Sequence, residues 1–282
     1  MMWERRSRTL FWSSLILSGF IIVQMLSYTA QMMFGWSSNF NLFQICMTWL
    51  QATGLIYLMY VLNALVVTTL GYGIWLAAKQ GYWARRSWRS MRSAQDRTLT
   101  EQMLKQFKLA EGELIVTTHA GLIALTMGFL RPRIVLSAGM MRLLDDAELE
   151  AVVLHERFHQ LKRHPLRSFV TLWLSKVLWY VPILAWCHRY NHMFQEVLAD
   201  RYAIRVKGEE SSLGSALIKL VRQGGATLPF AYSAFADTSV NFRIQHMIDP
   251  QAEPPFHFPW ELMIRSAAVI MGLSVLFDLL SR

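Results

Sequence analysis

The chain has 282 residues, of which 54% are hydrophobic and only 17% charged, whereas about a quarter are charged in an ordinary soluble domain. This composition excludes an intrinsically disordered chain, and the presence of only two cysteines excludes a small disulfide-stabilised scaffold. The net charge of +9 suits either nucleic acid or an anionic membrane surface. No Asp, Glu, Lys or Arg occurs from Thr9 to Ala78. A water-facing surface is rarely so bare of charge, so we expect a membrane protein with an additional polar part.

Two long apolar runs predict an N-terminal transmembrane hairpin over residues 1–80. They cover about Leu10 to Met33 and about Thr53 to Ala78, and about 20 apolar residues are enough to cross a bilayer core. The first run is longer than the apolar core of a signal peptide, so we expect it to be retained. Cationic residues flank the hairpin on both sides, and such flanks stay in the cytoplasm. We therefore expect the N-terminus inside the cell.

The basic stretch from Lys79 to Arg92 contains interleaved aromatic residues and allows two interpretations. It could contact anionic lipid headgroups, or it could bind a nucleic acid. Because the stretch directly follows a predicted span, we expect the lipid bilayer as its partner and no direct contact with nucleic acid.

From about residue 97 the chain has the character of a soluble α+β domain. A helix is predicted over 98–109, and three short β-branched segments separated by Gly and Pro predict strands. Further along, Asp145 and Glu148 form a capping-box pattern that begins a second helix, which Pro165 stops near residue 163. The three predicted strands cover residues 113–118, 122–126 and 132–137.

This second helix contains the motif His155-Glu-Arg-Phe-His159. Two histidines at this spacing project from one helix face, one turn apart, so both imidazoles can reach one metal ion. Glu156 directly follows the first histidine and would point to where a metal-bound water sits. The motif is the HExxH zinc signature, which predicts His155 and His159 as Zn²⁺ ligands and Glu156 as the general base.

Catalytic zinc needs a third protein ligand, and Glu196 is the candidate. Asp200 lies one turn further along the same predicted helix face, where its carboxylate could accept the free ring N–H of a ligand histidine. His188 and His192 remain rival ligands, because they too lie four residues apart. His164 is interpreted as a helix-end residue rather than a ligand.

The apolar run from Phe169 to Cys187 is long enough to cross a membrane, but the predicted site forbids a single crossing. Such a crossing would separate Glu196 from His155 by about 30 Å. We therefore expect an interfacial, re-entrant or internally packed segment. A last apolar run, Trp260 to Leu280, predicts a third span with the C-terminus outside. The expected organisation is a hairpin at 1–80, a zinc metallopeptidase domain at the cytoplasmic face at 81–259, and a C-terminal transmembrane helix at 260–282.

Three stretches of the chain resemble a known group, the gluzincin membrane metallopeptidases. They are Pro132–Ser137, Leu143–His159 and Glu196–Asp200. The chain is most similar to the BlaR/MecR antirepressor type (M56) and more distantly to the CAAX-protease and HtpX type (M48). The resemblance implies an α-helical membrane protein with an embedded α+β gluzincin-type zinc-peptidase domain that carries a small β-sheet. It also implies zinc ligation by His155, His159 and Glu196, with Glu156 as base and Asp200 supporting the ligands.

The function implied by this resemblance is a zinc endopeptidase in a multi-pass protein of the bacterial cytoplasmic membrane, with its active site in the cytoplasm. Its partners would be protein or peptide substrates, with regulatory proteolysis of a transcriptional repressor as one candidate role and a homo-oligomer left open. The antirepressor receptors end in an extracellular β-lactam sensor domain, whereas this sequence stops at Arg282, so we expect no direct antibiotic sensing.

Two alternatives from other classes stay open. One is a signalling membrane protein whose zinc site is structural or inactive and which acts by binding a partner. The other is a nucleic-acid-binding or lipid-binding adaptor with an accidental HExxH motif. Within the peptidase interpretation, the strand at 132–137 is a candidate edge strand for an extended substrate. Arg243 and His246 are candidates, by position alone, for assisting at the oxyanion.

Overall fold

The computed structural model describes residues 2–35, 56–223, 242–246 and 259–275, with isolated positions between 44 and 51 and at 249. By its internal contacts the chain forms two units. The first consists of residues 1–7, 81–169 and 191–256, and the second consists of residues 8–80, 170–190 and 257–282.

Two long helices supply much of the described part of the second unit. Helix α1 covers Met2–Phe34 and helix α2 covers Ile56–Ser93. Both contain a segment long and apolar enough to cross a membrane, and only 22% of each apolar segment is buried inside the protein. Outward-facing apolar side chains such as Ile16 and Ile74, which are 70% and 73% exposed, are what a lipid-facing surface requires. The described parts of both predicted apolar runs are therefore helical, and each helix continues through its charged end, while the transmembrane hairpin stays a prediction.

Packing within the second unit depends on a few specific contacts. The Tyr28 hydroxyl donates to the side-chain oxygen of Asn63, 2.6 Å away, which links α1 to α2. The Trp173 indole N–H donates to the carbonyl oxygen of Gly73 at 3.0 Å. A Cβ atom on Gly73 would lie 3.2 Å from the Trp173 ring, so glycine permits this close approach.

The apolar run from Phe169 to Cys187 does not form one helix. Helix α6 covers His164–Val177, and helix α7 begins after a short turn and covers Pro182–Lys207. Proline suits the first turn of α7, where a backbone N–H has no intrahelical partner. Hydropathy alone did not indicate this break.

Helices α6 and α7 run antiparallel. The Thr171 hydroxyl lies 2.8 Å from Nδ1 of His188, and the Ser168 hydroxyl donates to Gln195 at 2.8 Å. The chain therefore turns back within the apolar run instead of continuing through it. This geometry agrees with the exclusion of a single crossing, while the position of the segment in the membrane stays a prediction.

The predicted C-terminal span is only partly described. Helix α9 covers Trp260–Val275 and contacts α7 through the Ser266 hydroxyl, which accepts from the backbone N–H of Ile183 at 3.1 Å. The remainder of the predicted span, up to Leu280, lies outside the described residues.

The first unit contains a small mixed sheet with the strand order β1-β3-β2. Strand β1 covers Leu114–Thr117, β2 covers Ala124–Met127 and β3 covers Arg133–Ser137. Strand β3 is parallel to β1 and antiparallel to β2. All three predicted strands are confirmed, but the prediction of an edge strand at 132–137 is wrong. Strand β3 is central because Ile134, Val135 and Leu136 form a continuous apolar run that is buried on both faces, whereas β2 is an edge strand.

Four helices complete the first unit around this sheet. Helix α3 covers Arg97–Gln106, α4 covers Ala138–Leu143, α5 covers Asp146–Leu161 and α8 covers Ser211–Arg222. Side chains from all four helices share an apolar core with β1 and β3. A glycine is required at position 139, where a Cβ atom would collide with the carbonyl oxygen of Ala120.

Helix α5 begins with the predicted capping box. The Asp145 carboxylate accepts from the backbone N–H of Glu148 at 2.8 Å, and the Glu148 carboxylate accepts from the backbone N–H of Asp145 at 3.0 Å. The helix ends at Leu161, slightly before the predicted end, because Arg163 adopts a left-handed conformation with φ of 51°. Pro165 then lies in the first turn of α6.

Candidate functional site

Helices α5 and α7 bring the three predicted metal ligands together. Nε2 of His155 lies 3.1 Å from Nε2 of His159. The Glu196 carboxylate reaches both, with one oxygen 3.5 Å from His155 Nε2 and the other 3.4 Å from His159 Nε2. All three side chains are largely shielded from solvent. One donor atom from each residue lies within 4.8 Å of the other two, so this triangle of residues could hold one metal ion.

The dimensions of this triangle fit zinc. Tetrahedral zinc has bonds of about 2.0–2.1 Å to nitrogen and oxygen, which places neighbouring ligand atoms about 3.3 Å apart. The nearest separations are 3.1 Å between the two nitrogens and 3.4 and 3.5 Å from these nitrogens to the two different oxygens of Glu196, and they lie on both sides of that value. Two imidazoles and one carboxylate also match the donor set of catalytic zinc sites, which keep a fourth position open.

The second nitrogen of each ligand histidine also has a polar neighbour. Nδ1 of His155 lies 2.8 Å from a carboxylate oxygen of Asp200, and Nδ1 of His159 lies 2.8 Å from Nδ1 of His164. If Nε2 faces the metal, Nδ1 carries the hydrogen. His159 can donate it to Nδ1 of His164, whereas the contact of His155 with Asp200 lies at ion-pair distance without hydrogen-bond geometry. The predicted position of Asp200 beside a ligand histidine therefore agrees with the structure.

His164 is closer to the site than the sequence analysis predicted. It begins α6, as expected of a helix-end residue, but it is also buried against His159. Burial lowers the pKa of His164 to about 2, so its imidazole is neutral and can accept a hydrogen bond. The helix break that the sequence indicates before Pro165 brings His164 to the site, because the left-handed Arg163 turns the chain back toward the last turn of α5.

Arg243 is a basic component that joins two of the carboxylates. It lies on a short helical segment, residues 242–246, and its Nε and Nη2 atoms each donate to Asp200 at 2.7 Å. Its Nη1 atom lies 3.2 Å from Glu196. Burial opposes ionisation of Glu196 and Asp200, but Arg243 and the histidines outweigh it and lower the pKa of both carboxyls. Arg243 was a candidate for the oxyanion by position alone, and it contacts Glu196 of the triangle and Asp200 beside it. His246 instead packs against aromatic rings.

The two ligand histidines have opposite electrostatic surroundings. Burial lowers the pKa of His159 to about 3. Burial acts in the same direction on His155, but the carboxylates of Asp200 and Glu196 outweigh it and raise the pKa of His155 to about 9. A metal that binds here therefore displaces a proton from His155, since only the neutral imidazole is a ligand.

Glu156 contacts the edge strand of the sheet. The Thr126 hydroxyl on β2 lies 2.8 Å from the Glu156 carboxylate and 2.9 Å from the main-chain oxygen of Glu156. Burial raises the pKa of Glu156. The hydroxyl has one hydrogen, which it can donate to either of these two Glu156 oxygens. Sequence reasoning missed Thr126, because nothing in the motif indicates which strand lies beside it.

Neither rival ligand belongs to the set of donor atoms that forms the triangle among the described residues. His188 contacts Thr171 in the second unit. His192 is on α7 one turn before Glu196, its side chain is 46% exposed, and its Nε2 atom lies 4.0 Å from a Glu196 oxygen. Among the described residues, the set of donor atoms close enough to share a metal is His155, His159 and Glu196.

Comparison with known proteins points to one family. The family model described as BlaR1 peptidase M56 matches residues 15–247 of the chain. That range includes every residue of the triangle together with Thr126, Asp200 and Arg243. A search of curated proteins gives no match.

Proposed function

The chain belongs to the BlaR1 peptidase M56 family of membrane-associated metallopeptidases, and from this we propose that it is a zinc endopeptidase acting at the cytoplasmic face of a bacterial membrane. One observation carries the proposal, namely the triangle of donor atoms from His155, His159 and Glu196 with a buried glutamate, Glu156, in the same helical turn. Two candidate membrane helices and their cationic flanks support the membrane location and a cytoplasmic N-terminus.

The residues of the chain suit a hydrolytic mechanism. Zinc held by the triangle would polarise the scissile carbonyl and lower the pKa of a bound water to about 7. The Glu156 carboxylate would take a proton from the attacking water as the new C–O bond forms. It would then pass that proton to the leaving amine as the peptide C–N bond breaks. A buried carboxyl with a raised pKa is suited to holding a proton between these two steps.

The exposed edge of β2 suits an extended peptide substrate. Strand β2 pairs with β3 on one side, and no strand pairs with its other side within residues 56–223. A peptide added along that edge would form main-chain hydrogen bonds as a further strand. Because Thr126 lies on β2 and touches Glu156, such a peptide would pass close to the proposed base.

The natural substrate is a separate part of the proposal. Regulatory proteolysis of a cytoplasmic transcriptional repressor is the first class to test, and its support is the family resemblance alone. The competing function is a signalling protein in which the metal site is structural and partner binding produces the output.

Glu156→Gln tests the proposal directly. We expect the variant to retain about one zinc per chain and to lose cleavage of a synthetic peptide pool by roughly 100- to 10,000-fold, because the amide cannot accept the water proton. Zinc is measured by elemental analysis of the detergent-purified protein, and cleavage is measured by mass spectrometry. Glu150→Gln is the matched control, since Glu150 lies on the same helix and its side chain is 52% exposed.

Two outcomes would contradict parts of the proposal. Full cleavage by Glu156→Gln would refute the role of Glu156. A wild-type protein that binds zinc, cleaves nothing and gives a normal biological output with Glu156→Gln would favour the signalling alternative.

A further inference from the structure

The N-terminal turn of α1 belongs to the unit that contains the metal triangle. Trp3 is only 6% exposed. Its ring centroid lies 5.5 Å from that of Phe194 and 6.0 Å from that of His246. Sequence analysis placed these first residues with the membrane hairpin alone, because neither charge nor hydropathy indicates a tertiary contact.

The two contacts of Trp3 lead to two different segments of the site. Phe194 is fully buried on α7, two residues before Glu196. His246 is three residues after Arg243 on the short helical segment 242–246. One indole ring therefore packs against both segments whose side chains form the Arg243–Glu196 ion pair.

Ser7 strengthens this arrangement from the next turn of α1. Its hydroxyl donates to the side-chain oxygen of Asn191 at 2.8 Å, and both residues are buried. Ser7 and Trp3 lie four residues apart, so they occupy the same face of the helix. Asn191 is on α7, which means that this face of α1 contacts α7 at two residues, Asn191 and Phe194, that lie on either side of His192 in the sequence.

We propose that Trp3 and Ser7 are positioning residues for the metal site, fixing α7 and segment 242–246 so that Glu196 and Arg243 keep their places. The proposal rests on the zinc site proposed above. Helix α1 continues unbroken from Met2 to Phe34, which includes the first candidate membrane span.

The test compares Trp3→Ala with Trp3→Phe and with Trp12→Ala. Trp12 is a matched control because it lies on the same helix and is 55% exposed. The readouts are zinc affinity, measured by competition with a chelator, and the absorption spectrum of the Co²⁺-substituted protein, which reports ligand geometry. We expect Trp3→Ala to weaken zinc binding roughly 10- to 100-fold, as mutation of groups that support metal ligands does, and to alter the cobalt spectrum. Trp3→Phe should restore both, and Trp12→Ala should change neither.

Each remaining result has a defined meaning. Wild-type affinity and spectrum in Trp3→Ala would overturn the proposal while leaving the zinc site intact. Equal weakening in Trp12→Ala would also overturn it, since the effect would then be general. If Trp3→Ala does not accumulate, Ser7→Ala decides, with a smaller loss of affinity expected and unchanged affinity contradicting the proposal. A wild-type protein that binds neither metal would refute the zinc site, and this inference with it.

Discussion

Two sides of the site each carry a glutamate that is largely shielded from solvent, and the surroundings of these two glutamates are opposite. On the α7 side, Glu196 lies 3.2 Å from a guanidinium nitrogen of Arg243 and within 3.5 Å of both ligand imidazoles. Burial works against its ionisation, but His159, His155 and Arg243 together outweigh burial and hold the pKa of Glu196 well below its usual value. On the sheet side, Glu156 contacts the neutral hydroxyl of Thr126, and burial raises its pKa.

This difference in surroundings suits the two glutamates to different roles. A carboxylate that binds a metal must stay ionised at every step, whereas a carboxylate that acts as general base must gain and lose a proton near neutral pH. Buried carboxyls whose surroundings move their pKa values apart are the usual mark of such a division. The base follows a ligand histidine directly in the motif, so its distinct character comes from the strand beside it.

Glu196→Gln tests whether the ionised glutamate on the α7 side binds the metal. The amide is neutral and a poor zinc ligand, so zinc should fall from about one per chain to a small fraction, and cleavage should disappear with it. Elemental analysis of the purified protein measures the loss. Arg205→Gln, an exposed change on the same helix, should keep its zinc.

Retention of zinc in Glu196→Gln would remove Glu196 from the triangle. His192 would then be the next candidate, because its ring nitrogen lies 4.0 Å from the Glu196 carboxylate. In that case Glu196→Gln combined with His192→Ala should lose the metal.

Local helical patterns predicted the part of the site that lies on α5, whereas Glu196 and Asp200 on α7 were predicted only in the context of the HExxH motif. The capping box at Asp145 and the pair His155 and His159 follow from the fixed spacing of helical positions, so a local pattern was sufficient. Thr126, Arg243 and Trp3 were missed or guessed by position, because each reaches the site through tertiary packing that no local pattern encodes.

The same limit applies to the fold. Runs of β-branched residues located all three strands, but strand order depends on which face each strand buries, and the central strand β3 was taken for an edge. The run from Phe169 to Cys187 reads as one apolar segment, since hydropathy averages over the turn that precedes Pro182. The return of the chain within this run was predicted instead from the chemistry of the site, because two ligands of one ion must be close together.

Thr126→Val tests the hydrogen bond to Glu156 on the sheet side, because the substitution keeps the shape of the side chain and removes its hydroxyl. Loss of one hydrogen bond of about 1–1.5 kcal/mol to the base should lower kcat about tenfold. KM and zinc content should stay near wild type, because the triangle is untouched. Thr126→Ser should recover most of kcat in the same peptide assay. A loss of activity that Ser shares, or a change confined to KM, would mean that Thr126 acts through packing of β2.

A third glutamate, Glu148, is buried outside the site, and its ionisation stabilises the fold. Its carboxylate accepts from Ser215 and Lys219 at 2.6 Å each, besides capping α5. Burial opposes its ionisation, but Lys219 and these hydrogen bonds outweigh burial and lower its pKa from 4.5. Because the folded-state pKa is the lower one, the ionised group stabilises the fold above about pH 4.5. That contribution is lost as the pH falls through the folded-state pKa.

Glu148→Gln should therefore reduce the free energy of unfolding by about 2 kcal/mol at pH 7, by weakening the bonds to Lys219 and to the cap. The difference from wild type should shrink as the pH is lowered below about 4.5, because wild-type Glu148 then becomes protonated as well. Denaturant unfolding of the detergent-solubilised protein at pH 7 and at pH 4 measures both values. Lys219→Gln should give a similar loss at pH 7, and the double variant should lose less than the sum of the two single variants, since they remove one interaction. A deficit that does not depend on pH, or one that is additive in the double variant, would show that Glu148 stabilises α5 through its shape rather than its charge.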